Sequence, residues 1–157
     1  MSSGAKRLPP QGGDTEFADL RAAWDDFPAA CTPDLAKLRV VHNQDYSRAL
    51  AGPPDLDVNE RSNLPPVTQP LVRVHPGLGR RSFYLASHAE YVEGMPWGQG
   101  RALLDELTAY ATQRRFVHAH VWEPGDLVMG DNRCTMHRAK PFRRETLHPG
   151  DAAHHGG

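Results

Sequence analysis

The first hydrophobic pattern along the chain is that of an amphipathic helix. From Leu20 to Phe27, apolar residues recur at intervals of three and four, which places them on one face of a helix. Asp19 stands where a side-chain oxygen caps the first turn, and Pro28 ends the segment. A second short helix is predicted after residue 31, with Thr32 as its N-cap and a proline at the first helical position.

The periodicity disappears between residues 51 and 70. This stretch holds five prolines, and we predict a long surface loop. Beyond it the pattern changes to strict alternation, in which Val72 and Val74 share one face of a strand. Residues 76–79 form a turn, and residues 82–86 are predicted to return as the partner strand.

The second half of the chain predicts one longer helix and two strands. Residues 99–113 have an apolar face made of Leu103, Leu104, Leu107, Tyr110 and Ala111. Residues 116–122 then alternate as a strand, and the turn at Pro124-Gly125 leads into the apolar run Leu127–Met129. Because the turn is tight, we predict that these two strands lie side by side in one sheet.

Short strands, Gly-Pro turns and interposed helices predict an α+β fold that is mainly β. We assign residues 1–148 to one domain and expect residues 149–157 to be a disordered tail. The chain has 157 residues, a length that fits a single domain.

Charge and cysteine content narrow the function classes. Lys plus Arg total 18 against 19 Asp plus Glu, so there is no basic footprint for nucleic acid or for an anionic membrane. The two cysteines are too few for a disulfide framework, and the first residues lack the apolar core of a signal peptide. These features predict a cytoplasmic protein that binds neither nucleic acid nor membrane.

Four stretches resemble the TauD/TfdA family of dioxygenases, and most closely its 2,4-dichlorophenoxyacetate dioxygenase branch. The most specific is a Gly-Asp turn, an apolar strand, an Asp-Asn-Arg triplet and a His-Arg pair. The four stretches, which keep the family's order and spacing, are residues 8–19, 71–76, 111–114 and 125–138. The resemblance implies the C-terminal half of a double-stranded β-helix, a jelly-roll relative with helices inserted between strands.

The resemblance also implies iron(II) as the cofactor and 2-oxoglutarate as the cosubstrate. Such enzymes hold iron by two histidines and one carboxylate, and His137 matches the second histidine. Thr15 matches the threonine that helps to hold the 2-oxoglutarate carboxylate. Arg144 is the first choice for the arginine that grips the same carboxylate, and Arg143 is the second, because this region is shortened relative to the family. We expect Thr15, His137 and Arg144 to converge on one cleft.

Two further positions bear on the substrate, which the family predicts to be a small organic acid oxidised with O2. His88 matches a histidine that lies near the aryloxy acid in the herbicide dioxygenases, whereas Tyr91 replaces a second histidine there. Gly130 replaces a tryptophan that usually precedes the Asp-Asn-Arg triplet, which removes a large packing group beside the metal strand.

The family's first two metal ligands lie in a His-x-Asp segment well before Thr15, and this sequence does not contain it. His88-Ala89-Glu90 has a similar spacing but falls elsewhere in the fold, so we do not expect it to substitute. His118 and His120 share one strand face, either as an adventitious metal pair or, as we expect, as exposed polar residues. Two hypotheses follow: a hydroxylating dioxygenase, or an inactive remnant whose uncovered apolar surface favours aggregation or a homo-oligomer. A sugar-binding jelly roll has no positive support.

Overall fold

The computed structural model describes residues 2–4, 12–51 and 64–141. The described strands are β1 (Ser2–Gly4), β2 (Thr15–Asp19), β3 (Arg39–His42), β4 (Val67–Pro70), β5 (Val72–Val74), β6 (Arg81–Phe83), β7 (Ala89–Val92), β8 (Val117–His120), β9 (Leu127–Met129) and β10 (Thr135–Ala139). The helices are α1 (Leu20–Asp25), α2 (Thr32–Leu35), α3 (Gln44–Ala51) and α4 (Trp97–Ala111), with a 3-10 turn at Arg114–Phe116. None of these helices is long and apolar enough to cross a membrane.

The strands form four small antiparallel sheets, which confirms the predicted α+β fold with mainly β content. Two sheets have three strands, in the orders β10-β2-β8 and β4-β3-β7. The other two are the pairs β5-β6 and β1-β9. Described residues therefore alternate between short strands and a few helices, and most of the strand pairing joins segments far apart in sequence.

The hydrophobic core lies between α1, α4 and the strands that they cover. Phe83 is fully buried and receives the edges of two aromatic rings, with centroid distances of 5.1 Å to Trp24 and 5.5 Å to Phe27. Tyr110 of α4 packs against the same Phe27 ring at 4.9 Å. Such edge-to-face pairs add roughly 0.5–1.5 kcal/mol each beyond the burial of apolar area. The core thereby fixes α1, which follows directly on β2.

Three predictions that rest on local pattern are confirmed. Asp19 caps α1, since its carboxylate accepts from the backbone N–H groups of Arg21 and Ala22 at 2.9 and 3.3 Å. The helix predicted over residues 99–113 is α4. The predicted pair of strands around the turn at residues 76–79 is β5 and β6, joined in antiparallel register.

Three of the predictions are wrong. Thr32 does not cap α2, because its hydroxyl donates to the Ala29 carbonyl at 2.9 Å and the N-cap position belongs to Cys31. The loop predicted to run to residue 70 ends earlier, since Val67–Pro70 pairs with β3. The run at 116–122 and the run at 127–129 are both largely strand, but β8 pairs with β2 and β9 pairs with β1. The predicted tail at residues 149–157 lies outside the described residues.

The turn between β8 and β9 explains why they do not form a hairpin. The Asp126 carboxylate accepts from the backbone N–H of Glu123 and from the His120 ring, both at 2.9 Å. These two bonds fold residues 120–126 into a corner that sends the chain to another sheet. The sequence pattern of two strands around a Pro-Gly turn is the same for a corner as for a hairpin.

Several large apolar side chains are exposed, as the hypothesis of an uncovered surface expects. Val121, Leu127 and Met129 have exposed fractions of 67%, 70% and 78%. All three lie on β9 or on the segment that leads to it. An apolar patch of this kind favours association with another apolar surface. Self-association of the chain stays a prediction.

Candidate cosubstrate and metal site

Thr15 and His137 project from the same face of the β10-β2-β8 sheet. His137 is directly opposite Phe17, and Thr15 is directly opposite Ala139. Opposite residues of an antiparallel pair share a face, as do residues two apart on one strand. Thr15 and His137 are therefore diagonal neighbours, a relation that puts residues roughly 7–8 Å apart.

The same face carries the two histidines of β8. His118 is opposite Phe17, and His120 is opposite Thr15. His118 is exposed, as expected for a polar residue on an open sheet face. His120 is instead half-buried and bonded to Asp126 at 2.9 Å. Among the described residues, this pair belongs to no cluster of three or more metal-binding side chains.

The opposite face of this sheet is chemically different. Glu16 forms ion pairs there with Lys140 at 2.9 Å and with Arg138 at 2.6 Å. Hydrogen bonds from Lys140 and Arg138 lower the pKa of the Glu16 carboxyl. Arg138, the arginine nearest to His137 in sequence, is thus turned away from Thr15 and already paired. An arginine that shares a carboxylate with Thr15 has to come from another segment.

His137 has the exposure that a ligand to an added metal needs. Its imidazole is exposed, and its ring lies 6.3 Å from that of Phe17. Within the described ranges, neither ring nitrogen makes a hydrogen bond. A neutral imidazole with free nitrogens on a strand is a suitable ligand for iron(II). The residue therefore fits the metal by chemistry, and its assignment as a metal ligand stays a prediction.

The strand that carries His137 is held by the turn before it. The Asp131 carboxylate accepts from the His75 ring at 2.9 Å and from the Arg133 side chain at 2.6 Å. These hydrogen bonds, that of Arg133 first, hold the pKa of Asp131 well below its usual range. The Cys134 carbonyl then accepts from the Leu20 N–H at 3.0 Å, which ties the start of β10 to the start of α1.

His75, Asp131 and Cys134 are the one group in the described part of the chain with the spacing of a three-ligand metal site. Their donor atoms lie within 4.8 Å of one another. However, the His75 Nδ1 accepts from the backbone N–H groups of Gly77 and Leu78, both at 3.2 Å. The ring proton is therefore on Nε2 and points at Asp131. A hydrogen-bonded brace explains this arrangement, and it does not include His137.

His88 lies outside this sheet. It follows β6 and packs at a tilt against the buried His42 of β3, with ring centroids 5.0 Å apart. Burial lowers the pKa of the His88 imidazole, which keeps it neutral at pH 7. No hydrogen bond or ring contact joins His88 to Thr15 or His137 in the parts of the chain that the structure describes. Arg143 and Arg144 lie outside the described residues.

Three side chains that organise this region are not among the predicted site residues: His42, His75 and Trp122. The His75 position falls inside one of the family-like stretches, so that stretch already signalled it. Trp122 donates a hydrogen bond to the Thr15 hydroxyl at 3.0 Å across 107 residues of sequence. His42 has both ring nitrogens buried, and neither has a hydrogen-bond partner among the described residues. No local pattern in the sequence indicated the hydrogen bond of Trp122 or the burial of the His42 ring.

The replacement of glycine by alanine is expected to have opposite effects on stability at Gly130 and at Gly125. A Cβ at Gly130 would meet only the Phe17 ring, at 3.7 Å, whereas Gly125 has a φ of +95°. We expect Gly130→Ala to stabilise the fold by about 0.4–1 kcal/mol, because alanine restricts the unfolded chain. Gly125→Ala should destabilise it by about 1–2 kcal/mol through left-handed backbone strain. Urea unfolding of both variants measures the difference, and a loss of stability in Gly130→Ala would contradict it.

Comparisons with known proteins identify the family that this chain resembles. The family model described as "Taurine catabolism dioxygenase TauD, TfdA family" matches residues 4–154. An alpha-ketoglutarate-dependent 2,4-dichlorophenoxyacetate dioxygenase of Burkholderia sp. (strain RASC) is 47% identical over 135 residues, covering 86% of this chain and 46% of the relative. An (S)-phenoxypropionate/alpha-ketoglutarate-dioxygenase of Delftia acidovorans is 36% identical over 144 residues, covering 88% and 49%.

A solved structure has a similar fold. It is AAD-2 in complex with Mn(II) and N-oxalylglycine, with a TM-score of 0.82 and 41% sequence identity. The match covers 91% of this chain and 57% of that one. The chain thus spans about half the length of the curated relatives it matches.

Proposed function

Because the chain belongs to the TauD/TfdA family, we propose that it forms part of an iron(II)- and 2-oxoglutarate-dependent dioxygenase that hydroxylates a small organic acid. The observation that supports this most strongly is the shared face of Thr15 and His137. One side chain is suited to a carboxylate and the other to a metal, and a cosubstrate that chelates the metal at one end could reach the other side chain across the roughly 7–8 Å of a diagonal pair.

Each residue of the proposed site has a separate role. His137 is one metal ligand, and the Thr15 hydroxyl donates to the distal carboxylate of 2-oxoglutarate. Arg144 provides the charge for that carboxylate, and Arg143 does so if the shortened segment is aligned differently. The ion pairs of Arg138 with Glu16 on the opposite face support an assignment to one of these two later arginines.

Oxidation of the cosubstrate to succinate and CO2 supplies the electrons that the proposed hydroxylation needs. Iron(II), when bound, would supply the site of dioxygen activation; one oxygen atom would go to succinate and the other into the substrate C–H bond, with loss of CO2 from 2-oxoglutarate. The chain's own contribution is to orient the cosubstrate between His137 and Thr15. The apolar ring of Phe17 lies 6.3 Å from the His137 ring and borders this side of the site.

The substrate is proposed to be aryloxyalkanoate-like or sulfonate-like. The relatives with the higher identities are named for phenoxy acids, which favours the first class. His88 is the residue we assign to the neighbourhood of the substrate, where a neutral imidazole offers one donor and one acceptor. The fold proposed for the whole enzyme is a double-stranded β-helix, of which the four described sheets are a part.

The alternative is an inactive remnant of such an enzyme. It is favoured by one observation: in the part of the chain that the structure describes, His137 belongs to no group of three metal-binding side chains. A single imidazole competes poorly with water for iron(II), because affinity depends on ligand number and geometry.

The test of this proposal uses a longer protein in which a His-x-Asp segment precedes this chain. This longer protein is called the extended protein below. With iron(II), ascorbate and 2-oxoglutarate, it should release succinate faster when an aryloxyacetate is added, and more so than with an alkylsulfonate. Product analysis should find one hydroxylation per succinate. Absence of succinate with every acid would refute the dioxygenase proposal and support the remnant.

A further inference from the structure

Thr15 is not isolated on its sheet face. Its Oγ1 lies 3.0 Å from the indole Nε1 of Trp122. An indole N–H is a donor only, so the hydroxyl oxygen necessarily accepts this bond. The hydroxyl's own proton is therefore directed elsewhere, and within the described residues it has no acceptor.

The Trp122 indole is itself held in place. The ring of His120 packs edge-on against it, with centroids 4.7 Å apart and an interplanar angle of 89°. His120 is bonded to the Asp126 carboxylate, which also accepts from the backbone N–H of Glu123. His120 is also the residue directly opposite Thr15 in the sheet. The corner after β8 therefore fixes the indole, and the indole fixes the hydroxyl.

We propose that Trp122 is a positioning residue, which turns the Thr15 hydroxyl into a preoriented donor for a carboxylate on this face of the sheet. Without the indole, the hydroxyl would rotate among several partners, including water. When the indole N–H is bonded to the Thr15 oxygen, the hydroxyl hydrogen points towards the ligand, and the accepted hydrogen bond polarises the O–H group. This inference rests on the proposed role of Thr15 towards 2-oxoglutarate.

The test is a double-mutant cycle on the full 157-residue chain, with 2-oxoglutarate as the probe and its dissociation constant measured by NMR. Trp122→Phe keeps an aromatic ring but loses the N–H, and Thr15→Val keeps the shape but loses the hydroxyl. Each is expected to weaken binding about tenfold, the lower end of what a hydrogen bond to a charged group contributes. The double variant should bind no more weakly than Thr15→Val alone. Trp97→Phe, at an exposed position, is the matched control and should change nothing.

A spectroscopic signature separates positioning from general loss of structure. The Trp122 indole proton should move to the position of an unbonded indole in Thr15→Val, while those of Trp24 and Trp97 stay unchanged. An equal loss from Trp122→Phe in both backgrounds would overturn the inference and leave the role of Thr15 intact. Undiminished binding in Thr15→Val, or no binding by the unsubstituted chain, would overturn the proposed cosubstrate site and the inference with it.

Discussion

The 157-residue chain by itself is expected to release no succinate above background from 2-oxoglutarate, with iron(II), ascorbate and an aryloxyacetate present. Iron affinity in this class of site comes from three protein ligands on one face, and among the described residues His137 belongs to no group of three side chains close enough to share a metal ion. The expected difference from the extended protein is therefore all or none. The measurement is succinate release by the two proteins at equal concentration.

A matched pair of substitutions controls this comparison. In the extended protein, His137→Ala should lower succinate release to background. His118→Ala, an exposed histidine on the same sheet face, should leave it unchanged. Robust activity of the short chain that His137→Ala abolishes would refute the remnant hypothesis. It would also require other ligands, with His88 and Glu90 as the first to examine.

The second large effect is a loss of stability in acid that depends on His42. This residue is 7% exposed, and both ring nitrogens are buried with no hydrogen-bond partner in the part of the chain that the structure describes. Burial first, then the nearby His88 and Arg73, lowers its pKa from 6.5 to about 4. The folded protein therefore binds this proton less readily than the unfolded chain does.

The lower pKa of His42 in the folded protein determines how stability changes with pH. The contribution of His42 to stability is fully present above pH 6.5 and is lost as the pH falls from about 6.5 towards 4. The shift corresponds to about 3 kcal/mol, at about 1.4 kcal/mol per pKa unit. Because the pKa of His88 is lowered as well, it adds a loss of the same sign.

His42→Leu isolates the contribution of His42. The apolar side chain leaves no unsatisfied buried nitrogen, so stability at pH 7 should be equal or higher. Urea unfolding at pH 7 and pH 4.5 should show a loss that is smaller in His42→Leu than in the unsubstituted chain by about 2–3 kcal/mol. His118→Leu is the control and should keep the full loss. Equal losses in all three proteins would contradict the buried, unpartnered state of His42.

How far the sequence predicts this molecule depends on the range of each interaction. Asp19 and the apolar face after it predicted α1 because a helix and its cap are contained in a few neighbouring residues. The β5-β6 pair was predictable for the same reason. The pairing of Val67–Pro70 with β3, across the chain from residues 39–42, left no signal in local periodicity. β9 was assigned to the wrong neighbour because a corner and a hairpin use the same turn residues.

The site divides in the same way. Thr15 and His137 were identified through motif resemblance, and the sheet register explains how residues 122 positions apart come to share a face. The hydrogen bond from Trp122 to Thr15 joins two segments far apart in sequence, and no pattern within either segment indicates it. The orphaned nitrogens of His42 could not be predicted, because burial of a particular ring depends on packing of Tyr84 and His88 around it.

The most direct test of the proposed site is an anaerobic titration of the extended protein with iron(II), with and without 2-oxoglutarate. If Thr15 and His137 hold the cosubstrate and the metal on one face, 2-oxoglutarate should tighten iron binding in the unsubstituted protein and in His118→Ala. The same addition should have no effect in His137→Ala and a reduced effect in Thr15→Val. Iron binding that is equally tight and equally responsive to 2-oxoglutarate in His137→Ala would contradict the site.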